Sequence, residues 1–135
     1  MRGILAAMSV GVLAFAAPAL AQDAPAGNAE NGQRLFNQCR ACHTINEGGR
    51  NGVGPNLYGV VGRPMASVQG YSYSPAFRAK APEIGAWEDQ HLRPYLDNPQ
   101  GYVPGTKMVF QGFRGNQQQI SDVIANLRNN GPQRN

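Results

Sequence analysis

The sequence has few of the large apolar residues from which small protein cores are usually built. After the first 21 residues, the remaining 114 include only 20 Leu, Ile, Val and Phe, a share below the roughly 20% at which disorder becomes plausible. Disorder normally also requires a high net charge, but this part carries 11 basic and 8 acidic residues. Its modest, dispersed positive charge gives little support to nucleic-acid binding. The length of 135 residues indicates a single domain, so the composition leaves open what completes its core.

The first 21 residues are typical of a bacterial secretory signal peptide. Arg2 supplies a positive charge, residues 4–17 form an apolar run, and the A-x-A pattern of Ala19–Ala21 precedes Gln22. This pattern predicts cleavage after Ala21 and export to the periplasm. Retention as an anchor stays open, because residues 4–21 are uncharged and reach the lower length limit of a membrane-spanning helix.

Helices separated by long loops predict an all-α fold. Asn28 is a good N-cap for a helix over residues 29–38, and residues 87–98 predict a second helix, although an interior Pro94 is unfavourable there. Asn116 is the predicted N-cap of the last helix. Its apolar residues follow the i, i+3, i+4, i+7 pattern: Ile120, Val123, Ile124 and Leu127.

The other segments are predicted to lack regular structure. Residues 44–85 are rich in Gly, but their interspersed aromatic residues indicate packed loops, and residues 99–115 form a further loop around Pro104-Gly105. The predicted organisation is a signal peptide (1–21), a short flexible leader (22–27), one domain (28–130) and a C-terminal tail (131–135).

Both cysteines lie in the pentapeptide Cys39-Arg40-Ala41-Cys42-His43. C-x-x-C-H is the attachment signature of c-type haem, in which each thiol adds to a haem vinyl group and the adjacent His binds the iron. Three alternatives stay open from the motif alone. The first is a thioredoxin-like redox pair, which normally follows a strand. The second is a zinc site, for which only His91 and acidic groups remain as further ligands. The third is a structural disulfide.

A haem would also answer the question that the composition raises. A porphyrin is large, rigid and mostly apolar, and small domains often need such a centre to fold. We therefore expect the chain without haem to be largely unfolded. The second axial position has three candidates, Met65, Met108 and His91. A protein ligand there favours electron transfer, whereas an open site permits gas binding or peroxide chemistry.

Five segments in this order resemble a class I cytochrome c, close to the mitochondrial type and its periplasmic bacterial relatives. They are GQRLFNQCRACHT (32–44), GPNLYGVVGR (54–63), GYSYS (70–74), Trp87 with YLDNP (95–99), and YVPGTKMVF (102–110). The resemblance covers residues 29–127 and implies the small cytochrome c fold, with helices and long loops around one covalently attached haem.

The resemblance assigns roles to individual residues. It implies Cys39 and Cys42 as attachment sites, His43 and Met108 as axial ligands, and the Pro55 carbonyl as the acceptor for the His43 ring. The resemblance also implies that the haem propionates are held by Arg63, Tyr73 and Trp87. It places Tyr95 near the Met sulfur and Phe110 where it shields the haem crevice. The implied partner-facing haem edge comprises Arg40, Lys107 and Arg114.

The sequence departs from the family pattern at several positions. Phe77 falls near a position that is often polar, which predicts a drier pocket, and Asn126 replaces an aromatic residue of the terminal helix. Lysines usually surround the haem edge in this family, but this chain has only Lys80 and Lys107. We therefore expect weaker electrostatic steering toward an acidic partner.

The function implied by the resemblance is one-electron transfer without catalysis, by a monomer that binds its partners transiently. The expected donor is a membrane cytochrome bc complex, and the expected acceptor is a terminal oxidase or a photosynthetic reaction centre. Three alternatives stay open: an electron acceptor for a periplasmic dehydrogenase, a membrane-tethered cytochrome c, and a ligand-binding or peroxidatic haem protein with an open sixth site.

Overall fold

The computed structural model describes residues 24–132, and these residues are mostly helical, as predicted. The helices are α1 (Ala29–Leu35), a 3-10 helix (Phe36–Cys39), α2 (Pro75–Ile84), α3 (Asp89–Asp97), α4 (Pro99–Tyr102) and α5 (Gln117–Asn129). Within this range there is no β-strand, and a single antiparallel bridge joins Pro64 to Ala86. No helix in the described range is long and apolar enough to cross a membrane. The predicted signal peptide and its cleavage site lie outside the described residues.

The first and last helices begin where the sequence predicts. The Asn28 side chain accepts a hydrogen bond of 2.8 Å from the Asn31 backbone, and the Asn116 side chain accepts one of 3.1 Å from Gln119. Each bond satisfies a backbone N–H that has no partner within its own helix. The α-helical part of the predicted 29–38 segment ends at Leu35 and continues as the 3-10 helix.

Two helices lie in segments that were predicted to be loops. The N-cap of α2 is Ser74, whose hydroxyl accepts a hydrogen bond of 3.1 Å from the Phe77 backbone N–H. Pro75 follows at the first helical position, to which proline is well suited. It ends at Gly85, whose φ of +74° lies in the left-handed region. Helix α4 is a single turn capped by Asn98. The loop predictions for these segments were therefore wrong, because proline at a helix start resembles proline in a loop.

Helices α1 and α5 pack so closely that their backbones touch. A Cβ atom at Gly32 would lie 1.9 Å from the Asp122 carbonyl oxygen, so only glycine fits at this crossing. The apolar residues of α5 that were predicted to form one face are all buried: Ile120, Val123, Ile124 and Leu127. Asn126 is also buried, and it lies beside Gly32. The two ends of the domain are thus joined by direct contact.

A buried carboxylate, which the sequence analysis missed, ties the chain ends together. Asp122 is only 2% exposed and accepts hydrogen bonds from the Asn28 backbone at 2.8 Å, from Asn31 Nδ2 at 2.5 Å and from Gln118 Nε2 at 2.8 Å. Burial acts to raise the pKa of Asp122, but these three donors outweigh it and hold the pKa below the ordinary 3.8. The carboxylate therefore stabilises the α1–α5 contact in its charged form.

Part of the predicted flexible leader is attached to α5. The Ala26 carbonyl accepts a hydrogen bond of 2.8 Å from Gln118, and a Cβ atom at Gly27 would lie 2.1 Å from the Ser121 carbonyl oxygen. These contacts hold residues 26 and 27 against the helix, whereas residues 22 and 23 of the predicted leader lie outside the described range.

Replacing Asp122 tests the importance of this anchor. We expect Asp122→Asn to lower the free energy of unfolding at pH 7 by about 2 kcal/mol, because hydrogen bonds to a charged group contribute roughly 1.5–3 kcal/mol. Since folding depresses the Asp122 pKa, its stabilisation is present above the unfolded pKa and is lost as the pH falls through the folded pKa. The difference between the two proteins should therefore shrink below about pH 4.

Urea unfolding of the holoprotein at several pH values measures this difference. The control is Glu47→Gln, which removes the charge of an exposed loop residue and should leave stability nearly unchanged. An equal loss of stability in both variants would contradict the assigned role of Asp122.

Candidate functional site

An apolar cleft receives side chains from the 3-10 helix, α2, α3, α5 and the intervening loops. The space between its walls, including the open mouth, is about 1240 Å³. Its inner wall includes buried apolar residues that also belong to the core: Phe36, Val60, Phe77, Trp87, Leu92, Leu96, Val123 and Leu127. A large apolar group bound there would complete the core.

The C-x-x-C-H motif forms one tight turn at the edge of this cleft. The Cys39 carbonyl accepts hydrogen bonds from the backbone N–H groups of Cys42 at 3.1 Å and His43 at 2.9 Å. This turn brings all three side chains to the cleft lining. Burial, reinforced by the nearby Cys42, raises the pKa of Cys39 to about 11, so this thiol is protonated at neutral pH. No disulfide joins the two cysteines, so both sulfurs are available for addition to vinyl groups.

The orientation of the His43 ring is fixed by the loop that follows it. Its Nδ1 atom lies 2.7 Å from the Pro55 carbonyl oxygen, and because a carbonyl only accepts, Nδ1 carries the proton. The neutral imidazole then has its lone pair at Nε2, available for a metal. Burial lowers the pKa of His43 and Arg63 adds to that effect, although the Pro55 bond opposes it.

Gly54 is a functional position that the sequence analysis did not single out. A Cβ atom there would lie 2.3 Å from His43 Cε1, and the Gly54 N–H donates 2.8 Å to the Cys42 carbonyl. The glycine thus allows the loop backbone to lie directly against the imidazole ring. The signal for it was its place immediately before Pro55 in a Gly-rich segment.

Met108 lies half-buried in the cleft lining on the loop between α4 and α5. Its backbone N–H donates a hydrogen bond of 3.3 Å to Thr106 Oγ1. Gln100 Nε2 donates hydrogen bonds to two carbonyl oxygens of the same loop, that of Thr106 at 3.0 Å and that of Met108 at 2.9 Å. Gln100 and Thr106 were not predicted as site residues. They fix the backbone on either side of Met108.

The other two candidate axial ligands do not line the cleft. Met65 is 5% exposed and packs within the hydrophobic core. His91 belongs to α3, and its Nδ1 atom is 2.6 Å from the hydroxyl of Tyr102 in α4. Of the three candidates, only Met108 belongs to the same cleft as His43.

Tyr95 supports the Met108 loop from inside the protein. The hydroxyls of Tyr95 and Thr106 lie 3.0 Å apart, so the contact that the structure gives to the Tyr95 hydroxyl is with Thr106. The pKa of Tyr95 is raised to about 12, mainly by burial. The hydrogen bond with Thr106 acts to lower this pKa, and the nearby Tyr71 acts to raise it. A neutral phenol therefore persists across the physiological range.

The residues implied as propionate contacts all line the cleft. Arg63 Nη1 donates a hydrogen bond of 3.0 Å to the Tyr58 carbonyl. The Tyr73 hydroxyl accepts a hydrogen bond of 3.1 Å from the Val68 backbone N–H. Trp87 is buried in the same wall. Guanidinium, phenol and indole groups can all donate hydrogen bonds, so this wall has donors suited to carboxylates.

Phe77 is part of an aromatic wall of the cleft, and the drier pocket expected there stays a prediction. Its ring stacks on Tyr73, with centroids 5.2 Å apart and planes at 8°, and it also contacts Trp87 at 6.0 Å and Tyr95 at 6.1 Å. These offset and edge contacts are typical of stable aromatic clusters. Phe77 therefore extends the apolar surface available to a bound group.

The predicted haem-edge residues occupy different positions. Lys107 and Phe110 line the cleft, and Phe110 makes an edge contact of 5.2 Å with Phe113. Arg40 and Arg114 are exposed but do not line the cleft. The Arg40 Nε atom donates 3.1 Å to Asn37, and Arg114 donates 2.6 Å to the Gln111 carbonyl.

The donor set fits a covalently attached haem. Two thiols and an oriented imidazole come from one turn, a thioether comes from a second loop, and side chains with hydrogen-bond donor groups share the same apolar cleft. Within residues 24–132, no three His, Cys, Asp or Glu side chains are grouped to hold a metal ion, so the zinc alternative finds no ligand set there.

Comparisons with known proteins agree with this chemistry. The profile of the Cytochrome c family matches residues 29–131. The cytochrome c of Nigella damascena is 42% identical over 107 residues, which cover 78% of this chain and 93% of that protein. Cytochrome c-550 of Ancylobacter novellus is 44% identical over 82 residues, or 61% of this chain and 77% of that protein.

A solved structure shows the same fold. Cytochrome cH from Methylobacterium extorquens superposes with a TM-score of 0.69 at 38% identity, and the match covers 76% of this chain and 99% of that one. The family profile spans most of the chain. The chain therefore belongs to the cytochrome c family, whose members carry covalently attached haem c and transfer electrons.

Proposed function

We propose that this protein is a soluble periplasmic one-electron carrier and not an enzyme, with His43 and Met108 as the axial ligands of its haem. The observation that carries the proposal is the shared cleft, which is lined by the Cys39 and Cys42 thiols, an imidazole of fixed tautomer and the Met108 thioether. The bound haem supplies an iron that cycles between Fe(III) and Fe(II). The protein supplies its attachment, ligation and environment.

The surrounding residues limit structural change during transfer. The Pro55 carbonyl holds the His43 ring in one orientation, and Gln100 and Thr106 hold the backbone around Met108. Because both ligand-bearing segments are fixed before the electron arrives, little reorganisation accompanies transfer. Thioether ligation and an apolar surrounding both raise the potential of the iron.

Arg63, Tyr73 and Trp87 are the proposed binding groups for the haem propionates. Burying a carboxylate without donors is unfavourable, and these three side chains bring donor groups to an otherwise apolar wall. The positive charge of Arg63 would compensate one propionate, which also makes the cleft less negative near the iron.

The proposed docking surface surrounds the cleft mouth. Val53 and Val109 line the cleft and are 70% and 86% exposed, so apolar side chains are available for short-lived contacts. The Lys107 ammonium donates to the Ser72 carbonyl, and Arg40 and Arg114 are likewise bonded within the chain. Such a small, weakly charged surface suits transient redox complexes.

We propose a cytochrome bc complex as the electron donor and a terminal oxidase or photosynthetic reaction centre as the acceptor. Export by the N-terminal signal would place the protein with the periplasmic faces of these membrane complexes. Fractionation of the native cells tests the location, because a cleaved carrier should appear in the periplasmic fraction and begin at Gln22.

Replacing Met108 tests the proposed ligand. We expect Met108→Ala to produce a high-spin ferric protein, rapid CO binding by the ferrous form and a lower potential, because the sixth position loses its thioether. Visible spectroscopy, CO-binding kinetics and a redox titration measure these changes.

The matched control is Met65→Leu, which changes the buried methionine outside the cleft with little change in volume. It should keep the spectrum and CO behaviour of the unaltered protein. If Met108→Ala also kept them, or if the unaltered protein already bound CO rapidly, the six-coordinate carrier would be rejected.

The few cations near the cleft mouth give weak electrostatic steering toward a partner. We expect the second-order rate constant for electron transfer with the isolated bc complex to change by less than about tenfold between 0.01 and 0.1 M salt, over which the Debye length falls from about 30 to 10 Å. The reason is the small number of cations at the cleft mouth. Stopped-flow mixing measures this rate.

Val109→Asp provides the complementary variant, since it places a charge on an exposed side chain beside the cleft. Docking through this surface predicts a slower reaction with the complex and an unchanged reaction with a small neutral reductant. A steep salt dependence of the unaltered protein would contradict weak electrostatic steering, and no effect of Val109→Asp would contradict docking at the cleft mouth.

A further inference from the structure

Three loops around the cleft mouth are connected through Tyr71. They are the proximal loop (residues 44–57, which follow His43), the bridging segment (residues 70–73) and the Met108 loop (residues 103–110). The Tyr71 hydroxyl donates a hydrogen bond of 2.8 Å to the Val53 carbonyl of the proximal loop. On the other side, Lys107 Nζ lies 5.9 Å from the centroid of the Tyr71 ring.

Lys107 makes a second contact with the bridging segment. Its ammonium group donates a hydrogen bond of 2.5 Å to the Ser72 carbonyl, 35 residues away in sequence. We call these contacts of Val53, Tyr71, Ser72 and Lys107 the clasp. Because Val53, Tyr71 and Lys107 all line the cleft, the clasp crosses its mouth.

The clasp and the interior contacts hold different sides of the Met108 loop. On the inside, Tyr95 and Gln100 hold Thr106 and Met108, and Val103 is almost fully buried. On the exposed side, Lys107 links the loop to the bridging segment. Gly105, with a φ of +86°, lies between the buried Val103 and the clasp in the left-handed region that favours glycine.

We propose that Tyr71 is a positioning residue that, through the clasp, holds the Met108 loop closed over the cleft and limits how often an external ligand reaches the haem. This inference rests on the proposed axial role of Met108. It adds that closure depends on a side chain in a separate loop, which itself binds no iron.

Tyrosine suits this position because its two ends are used together. The hydroxyl fixes the proximal loop, while the electron-rich ring face attracts the Lys107 cation, and the ring also makes an edge contact with Tyr73 at 4.7 Å. Desolvation, followed by the nearby Tyr73 and Cys42, raises the pKa of Tyr71, so the phenol remains a donor at neutral pH. Phenylalanine would keep the ring contacts and lose the bond to Val53.

Imidazole binding to the ferric holoprotein measures how often the loop opens. We expect Tyr71→Phe to accelerate binding of added imidazole about threefold to tenfold, the factor that corresponds to one lost hydrogen bond. Tyr71→Leu should accelerate it further, because it also removes the ring face that attracts Lys107. Stopped-flow absorbance at several imidazole concentrations gives the opening rate.

The matched control is Tyr102→Phe. It removes a tyrosine hydroxyl of the same kind, bonded at 2.6 Å to His91 outside the cleft. It should leave the imidazole-binding rate within about twofold of the unaltered protein, since additive effects are expected for sites without shared partners. Equal acceleration in Tyr102→Phe and Tyr71→Phe, or no acceleration in Tyr71→Phe, would overturn the proposal.

A double-mutant cycle tests whether Tyr71 acts through Lys107. Each single variant, Tyr71→Leu or Lys107→Gln, accelerates imidazole binding by some factor. If the two residues form one clasp, the factor for the combined variant should be smaller than the product of the two single factors. Strictly multiplicative effects would show that the residues act separately and would overturn the clasp.

Hydrogen exchange separates this inference from the ligand assignment. The Met108 N–H is bonded to Thr106, and its exchange reports loop opening whether or not the sulfur binds iron. If Met108 is not a ligand, imidazole binds the unaltered protein rapidly, but exchange should still accelerate in Tyr71→Phe. Unchanged exchange at Met108 in Tyr71→Phe would reject the clasp while leaving the Met108→Ala test of ligation valid.

Discussion

The close crossing of α1 and α5 is the contact on which the rest of the structure depends. Gly32 brings the two backbones together, and the 3-10 helix that follows α1 immediately ends at Cys39. Helix α5 meanwhile contributes Val123 and Leu127 to the cleft. The same crossing therefore places the attachment motif and forms part of the wall that faces it. A shift of α1 along α5 would move both thiols relative to the cleft.

The segments that carry His43 and Met108 are positioned by hydrogen bonds from loops and from α4. His43 is oriented by the Pro55 carbonyl, and the backbone at Met108 is held by Gln100 and Thr106. Loop backbone can lie close to a flat group because its polar atoms are satisfied locally and its glycines leave space, as Gly54 does beside the imidazole. This explains why a domain with so much glycine can still hold a site rigidly.

The sequence was most informative where the signal is local. The C-x-x-C-H spacing, the Asn28 and Asn116 caps and the apolar periodicity of α5 each lie within one turn or one helix, and the structure confirms the caps and the periodicity. The resemblance to class I cytochromes c identified the family, which the comparisons confirm. The structure places Met108 in the cleft lining, and its role as a ligand stays a prediction.

The features that were missed depend on contacts between distant parts of the chain. The sequence around Asp122 is that of an ordinary helix. Its partner Asn28 is 94 residues away, so no local pattern shows that this side of α5 is covered. Gln100 lies in α4 and Tyr71 lies in a loop, and the roles of both polar residues appear only when α4 and the cleft loops are assembled. Helix α2 was hidden for a local reason, since its prolines at positions 75 and 82 favour a loop interpretation.

The scarcity of large aliphatic residues has a consequence for how folding and binding are linked. Leu92, Leu96, Val123 and Leu127 belong to the hydrophobic core and also line the cleft, so a group that fills the cleft packs directly against the core. A group that binds the folded chain in preference to the unfolded chain stabilises the fold. Covalent attachment at Cys39 and Cys42 would make that stabilisation permanent, because the haem could not be lost by dilution. The small aliphatic content is thus compatible with a stable carrier, since the cofactor provides apolar surface that the sequence does not.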